Sequence, residues 1–238
     1  MSIKVSVVGA SGRMGKLALD LIEGAQDLEL HSALDSKSEL SATAGADVIF
    51  DVTRLEVSEN VVRHALEQGV AVLVGTSGWS ASKLAEIEAS VARSGSAVVV
   101  IPNFSVGSML ATRFAAEAAK HFLTIEIVEA HHAHKIDSPS GTAVRTAELI
   151  AKQRGSTPLV TGADQDARGQ IVAGVPIHSL RLNGVSAKQD VLLGGDSELL
   201  TISHETTSVA AYAAGILASI RFTATAKGLV VGLENVLG

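Results

Sequence analysis

Apolar positions along the first hundred residues switch period repeatedly, from that of a strand to that of a helix and back. Residues 3–8 form a short apolar run that ends at Gly9. Met14, Leu17, Ala18, Leu21 and Ile22 then recur at helical spacing until Gly24, which predicts an amphipathic helix stopping there. Residues 28–34 alternate like a strand and end at Asp35. Strand-like runs follow at 48–50, 71–74 and 97–101, separated by helical patterns at 57–68 and 82–93, the first closed by Gly69. Five strands alternating with three or four helical patterns in about 100 residues predict an α/β fold with a doubly wound parallel sheet.

Beyond residue 105 the texture changes. An Ala-rich helix is predicted over 107–122, a strand from Thr124 into a histidine cluster, and a second helix over 143–153. The stretch 154–174 is polar, shows no clear period, and reads as a mobile surface loop. Three strand-like runs, 177–182, 189–193 and 199–203, are separated by Asn183-Gly184 and Gly194-Gly195-Asp196, both turn signatures. The pattern predicts a second, α+β domain with a mixed or antiparallel sheet. A last helix near 208–225 is expected to return to the first domain. The expected division is therefore 1–105 with 208–238, and 106–207. There are no internal repeats or heptads.

Composition narrows the class. Hydrophobic residues make up 47% and charged residues 18%, as in a folded globular protein, while aromatics at 3% leave the core to Val, Ile, Leu and Ala. A net charge of −6 argues against a nucleic-acid partner. The sequence has no cysteine, which removes disulfides, thiolate metal sites and cysteine nucleophiles together. No signal-peptide pattern follows Met1, and no stretch approaches the ~18 apolar residues of a membrane span. A soluble, cytoplasmic protein without a membrane partner is expected.

The first apolar run leads into Gly9-Ala10-Ser11-Gly12-Arg13-Met14-Gly15. Glycines at this spacing, after a strand and before a helix, allow a tight turn and let backbone approach a pyrophosphate, whose charge then sits on the helix N-terminus. Asp35 ends the next strand, where a carboxylate accepts hydrogen bonds from an adenosine ribose. That carboxylate repels a 2′-phosphate and favours NADH, although Ser36 and Lys37 leave room for NADPH. Arg13 is as well placed to touch phosphate as to be plain surface. Gly75-Thr76-Ser77-Gly78 and Pro102-Asn103-Phe104-Ser105 both follow strands of the same sheet, at the ends where loops face a dinucleotide.

The densest chemistry lies in residues 129–142, which hold three of the eight histidines: His131, His132 and His134. Strand alternation places His132 and His134 on one face and His131 on the other. Three readings compete. As an His-x-His metal pair they need further ligands, for which Glu129, Asp137, His178 and His204 are candidates, and Lys135 would repel the cation. As surface histidines at a strand end they need no function. The third reading makes His131 a proton donor or acceptor, with His132 and Lys135 gripping or polarising a substrate and Ser140, Gly141 and Thr142 binding a carboxylate at a helix start. Two separate anion grips suit a small dicarboxylate, and a proton donor combined with a hydride source amounts to a reductase. No metal is expected.

In these residues the chain resembles the 4-hydroxy-tetrahydrodipicolinate reductase family, formerly called dihydrodipicolinate reductases. The family signature, Glu-x-His-His-x-x-Lys-x-Asp-x-Pro-Ser-Gly-Thr, is matched across 129–142. The glycine loop, the 75–78 segment and the 102–105 segment are similar to the family's cofactor segments and occur in the same order. The resemblance implies a Rossmann-like N-terminal domain and a second domain that binds substrate and builds a homotetramer. It implies reduction of a cyclic imine-type dicarboxylate in lysine and diaminopimelate biosynthesis with NADH or NADPH. Carried over residue by residue, it makes His131 and Lys135 catalytic, and His132, Gly141 and Thr142 substrate contacts. The implied cofactor contacts are Gly9, Ala10, Ser11, Gly12, Arg13, Met14, Asp35, Gly75, Thr76, Ser77, Ile101, Pro102, Asn103 and Phe104. Ser138 and Ser77 stand where the family usually has alanine and threonine. Asp51-Val52-Thr53-Arg54-Leu55 departs from the family's Asp-Phe-Thr-x-Pro. A non-catalytic nucleotide-binding protein on the same fold, or a reductase of another small acid, are the competing expectations.

Overall fold

The computed structural model describes residues 2–160, 162 and 165–238. In chain order the elements are β1 (Ile3–Val8), α1 (Arg13–Gly24), β2 (Leu28–Leu34), β3 (Val48–Asp51), α2 (Leu55–Gln68), β4 (Ala71–Val74), α3 (Ala81–Ser94), β5 (Ala97–Val100) and α4 (Val106–Ala118). They continue with β6 (Thr124–His132), α5 (Gly141–Arg154), β7 (Gln170–Val172), β8 (Val175–Leu182), β9 (Ala187–Gly194), β10 (Leu199–Thr206), α6 (Ala213–Thr223), β11 (Gly228–Val231) and α7 (Glu234–Leu237). Two compact units divide the chain: Met1–Val106 with Val209–Gly238, and Gly107–Ser208.

The first unit is built on a six-stranded sheet of order β11-β5-β4-β3-β1-β2. Every pairing in it is parallel. The strands β3, β4 and β5 read VIFD, AVLV and AVVV, nearly unbroken apolar runs, because helices cover a parallel sheet on both faces and strand alternation disappears. One stripe of α1, Gly15, Ala18 and Ile22, is buried. From β1 the chain moves first to one side, to β2, and then to the other, to β3. That reversal is a topological switch point, the place at which doubly wound sheets bind ligands outside the carboxyl ends of their strands. The sixth strand, β11, lies in a stretch for which the sequence predicted no element; pairing with β5 defines it. The expected helix over 208–225 is instead a short 3-10 turn, Val209–Tyr212, followed by α6.

A five-stranded sheet, β10-β9-β6-β8-β7, forms the second unit. It is mixed, with β6 and β8 parallel and the other pairs antiparallel. One face packs Ile125, Ile127, Val175, Ile177, Val191 and Leu193 against small residues of α4 and α5, among them Ala115, Ala116, Ala143 and Ala147. Alanines let the helices approach the sheet closely, and this supplies dense packing with few aromatics. On the opposite face Leu180, Leu182 and Leu199 stand 44%, 48% and 64% exposed. The stretch 154–174 differs from the loop expected of it. It carries a 3-10 turn, Asp166–Arg168, and β7, which pairs antiparallel with β8; residues 161, 163 and 164 lie outside the described residues. A three-residue strand between glycines, Gly169 and Gly174, has too little period to be read, and only its partner strand reveals it. Among the described residues no helix is long and apolar enough to cross a membrane.

Candidate active site

After β1 the chain turns through backbone alone. Gly9 and Ala10 both donate to the carbonyl of Leu34 at 2.9 Å, and Gly12 donates back to Gly9 at 3.0 Å. Gly9 has φ +94, and a Cβ there would stand 2.8 Å from the carbonyl oxygen of Val52. At Gly15 a Cβ would lie 2.2 Å from the oxygen of Gly9, so only glycine lets α1 pack this tightly on the turn. Gly12 caps α1 without a side-chain bond, and the first turn holds no acidic residue. The N–H groups of that turn therefore remain as donors, with the positive end of the helix dipole behind them. Gly9, Ala10, Ser11, Gly12, Arg13 and Met14 form the rim of this cradle, and its chemistry fits a pyrophosphate.

At the end of β2, Asp35 is exposed, and its Oδ1 accepts from the N–H of Lys37 and the hydroxyl of Ser38, each at 2.9 Å. Those bonds, the Lys37 N–H first, hold its carboxyl below the ordinary range, so it is charged. The loops after β3 and β4 are joined by a network that sequence reading missed. Asp51, fully buried, accepts from Thr76 Oγ1 at 2.8 Å and from Thr53 Oγ1 at 2.6 Å. The hydroxyl of Thr76 is thus committed inward, while Ser77 stands exposed. Ile101 and Phe104 are buried, Phe104 edge-on to Phe50 at 5.6 Å, so only their backbone faces outward chemistry. Pro102 is exposed, and Asn103 Oδ1 accepts from Ser105 N at 2.9 Å.

In the second unit, β6 alternates Ile125, Ile127, Glu129 and His131 onto its core-facing side. Glu129 is fully buried. Its Oε2 lies 2.6 Å from His131 Nδ1 and 2.9 Å from Arg181 Nη1. Its Oε1 accepts from Arg181 Nη2 at 2.9 Å and from the Ser140 N–H at 3.2 Å. Burial pushes the Glu129 carboxyl up, but hydrogen bonds from Arg181, Ser179 and His131 outweigh it and hold the group below its ordinary range. Burial also pulls the His131 imidazole below its ordinary value; Glu129 opposes that, and the charges of Lys135 and Arg181 add to it. With Nδ1 occupied by a carboxylate, Nε2 is the nitrogen left to exchange a proton.

The strand ends at His132, whose carbonyl accepts from Lys135 N at 3.1 Å in the turn that follows. Strand alternation consequently does not extend to His134, and the expected His132–His134 face is not formed. Among the described residues no group of three or more His, Asp or Glu side chains has metal-binding geometry. Lys135 Nζ donates to both carboxylate oxygens of Asp137, at 2.7 and 2.8 Å. Ser140 is buried, and its hydroxyl caps α5 by accepting from Ala143 N at 3.2 Å. Gly141 is exposed and Thr142 half-buried, at the first turn of a helix with no acidic residue there. His131, Lys135, Ser140, Gly141 and Thr142 are thus gathered around one end of β6, while Ser140 spends its side chain on the cap. Arg181 is the residue that sequence reading missed. The available signal was an arginine within a largely apolar strand run, VPIHSLRL.

A dinucleotide-type cradle on a doubly wound sheet, in one chain with a buried carboxylate–imidazole pair, defines a two-domain α/β oxidoreductase. Family models for "Dihydrodipicolinate reductase, N-terminus" and "Dihydrodipicolinate reductase, C-terminus" match residues 3–104 and 107–237. The chain belongs to this family, the 4-hydroxy-tetrahydrodipicolinate reductases. It is 55% identical over 240 residues to the 4-hydroxy-tetrahydrodipicolinate reductase of Clavibacter sepedonicus, spanning 100% of this chain and 87% of that one. The enzyme of that name from Mycolicibacterium smegmatis is 38% identical over 243 residues, 99% of each chain. Among solved structures, the dipicolinate-bound dihydrodipicolinate reductase of Paenisporosarcina sp. TG-14 superposes with a TM-score of 0.85 at 32% identity, covering 100% of both chains.

Proposed function

We propose that this chain reduces 4-hydroxy-tetrahydrodipicolinate to tetrahydrodipicolinate, in lysine and diaminopimelate biosynthesis, with His131 as the proton-transfer group. The reaction and the use of NADH or NADPH rest on membership of the family. The observation that supports the role of His131 is its Nδ1 contact with the buried Glu129 carboxylate at 2.6 Å.

The net change replaces a hydroxyl by hydrogen, so one hydride enters, and the hydroxyl leaves as water once it is protonated. When bound, the nicotinamide supplies the hydride. His131 supplies the proton from Nε2, because Glu129 orients the ring through Nδ1 and stabilises its cationic form. Lys135, a second proton donor by family resemblance, also grips a substrate carboxylate, exchanging its bonds to Asp137 for bonds to the ligand. The second carboxylate sits at the N-terminus of α5, on Gly141 and Thr142, with Ser140 holding the helix start in place. His132 completes the substrate contacts. The carboxylates of dipicolinate, named in the complex of the Paenisporosarcina enzyme, support this choice of ligand class.

In the first unit the cradle Gly9–Met14 takes the pyrophosphate and Asp35 the adenosine ribose. The segments Gly75–Ser77 and Ile101–Phe104 face the remainder of the dinucleotide, Thr76, Ile101 and Phe104 through backbone. The second unit, 107–208, binds substrate and assembles the chain into a homotetramer, for which the exposed leucines on its uncovered sheet face provide the apolar surface. A cytoplasmic setting belongs to the same proposal. Absorbance of NADH and of NADPH, followed with substrate freshly generated by the upstream synthase, tests the activity; no oxidation of either cofactor refutes it. A strong preference for NADPH in the paired KM values contradicts the role given to Asp35. Light scattering reads the oligomeric state.

A further inference from the structure

We infer that Arg181 and Glu129 are positioning residues of this reaction: a fork closed on a buried carboxylate that presents the His131 imidazole with Nε2 outward and sets the charge it feels. The inference rests on His131 being the proton-transfer group.

β6 and β8 run parallel with His131 in register with Arg181 and Glu129 in register with Ser179. The guanidinium therefore reaches across one strand spacing to the carboxylate that the imidazole contacts. Each terminal nitrogen makes two bonds: Nη1 to Glu129 Oε2 and the Leu180 carbonyl, Nη2 to Glu129 Oε1 and the Asp137 carbonyl, all between 2.7 and 2.9 Å. The same carboxylate accepts the Ser140 N–H at 3.2 Å. One ion pair thus ties together β6, β8, the segment that carries Lys135 and Asp137, and the cap of α5. Both proposed anion grips are fixed relative to the imidazole through these bonds.

Stability alone is a poor account of this arrangement. A buried ion pair is commonly no more stabilising than well-packed apolar residues of the same volume. A lysine would supply the charge without the planar fork that fixes both carboxylate oxygens. Electrically, the carboxylate lies between two partners. The charged groups acting on the imidazole are Glu129 on its own strand, Arg181 on β8, and Lys135, itself paired with Asp137, on the following segment. Arg181 and Glu129 act on it with opposite sign, so removing either unbalances the ring in a known direction.

The test is NMR titration of the histidine ring in the full-length chain, with the His131 signal identified by its loss in His131→Gln. Arg181→Met is expected to raise the His131 pKa, and Glu129→Gln to lower it, each by roughly one unit. Arg181→Lys, which keeps the charge, is expected to titrate like wild type while kcat falls roughly tenfold or more with KM little changed. Should a single variant fail to fold, the double variant Glu129→Gln/Arg181→Met leaves no unpaired buried charge. Its kcat is expected to stay at least about tenfold low, and wild-type kcat there overturns the inference. Shifts of the same sign, or none, in the two single variants also overturn it. If the opposite shifts appear but the limb of the pH–rate profile does not follow them, His131 is not the proton-transfer group. The functional reading then falls, and with it the fork's part in the reaction.

Discussion

After β1 the chain offers an anion chiefly backbone: a turn with a positive φ at Gly9, a helix start without a side-chain cap, and a glycine where any Cβ would strike the turn. On β6 and β8 it offers the reverse, charged side chains paired with one another, with Glu129 fully enclosed and His131 and Arg181 partly buried around it. The first site needs the absence of side chains within a few consecutive residues. The second needs particular side chains from strands some fifty positions apart, 129 and 181, brought into register. Local geometry protects the one and long-range pairing the other, so they fail differently when mutated.

The largest expected effect is at the side-chain site. His131→Gln lowers kcat by ~100-fold or more, about 2.7 kcal/mol in the transition state, with little change in KM. Steady-state kinetics that left kcat intact would remove the contrast between the two sites. Burial holds His131 below its ordinary value. As a proton donor it therefore loses activity as pH rises through that depressed pKa, and the same limb vanishes in the glutamine variant. Linkage runs the other way for stability. The unfolded chain binds the proton more tightly, so the contribution of His131 to stability is fully present above its unfolded pKa, near ~6.5, and lost as pH falls through the folded one.

A comparable blow to the backbone site comes from Gly15→Val. The added Cβ meets backbone oxygen at 2.2 Å, and the turn must deform. A loss of about 1–3 kcal/mol in unfolding free energy by denaturant titration is expected, together with weaker NADH binding by calorimetry. Intact NADH affinity would mean that the cradle is not the pyrophosphate site. Thr142→Val is milder, raising KM by roughly tenfold, about 1.4 kcal/mol, and leaving kcat near wild type; an unchanged KM removes Thr142 from the carboxylate grip. Least of all, Gly24→Ala at the end of α1 meets nothing within 4 Å and gains about 0.5 kcal/mol in thermal unfolding. Destabilisation there would show that glycine matters throughout α1 and not only at its start.

The parallel sheet was legible because β3, β4 and β5 are short apolar runs separated by helical patterns, and the cradle because its glycines lie within seven consecutive residues. The signature 129–142 likewise reads directly, since it lies in one stretch. Other features were not legible. The strand β7 is three residues inside a polar segment, and β11 is four residues of which the first is a glycine; both exist through their partners, β8 and β5. The alternation expected through His134 ended at His132, because the chain turns there to bring Lys135 back on the His132 carbonyl. Asp51 with Thr76, and Glu129 with Arg181, are pairs 25 and 52 positions apart. Which residue each of them pairs with is nowhere written locally, even though Glu129 opens the signature.

By itself, then, the sequence determined the α/β order of elements, the glycine cradle after β1 and the fourteen-residue segment that holds the proposed acid and anion grips. These depend on dihedral freedom and side-chain type at neighbouring positions, which sequence states outright. Only the tertiary structure decided that Glu129 is buried between His131 and Arg181, that Nε2 is the nitrogen left to act, and that Thr76 turns inward to Asp51. Those depend on strand register and on exclusion from water, both set by the packing of distant segments.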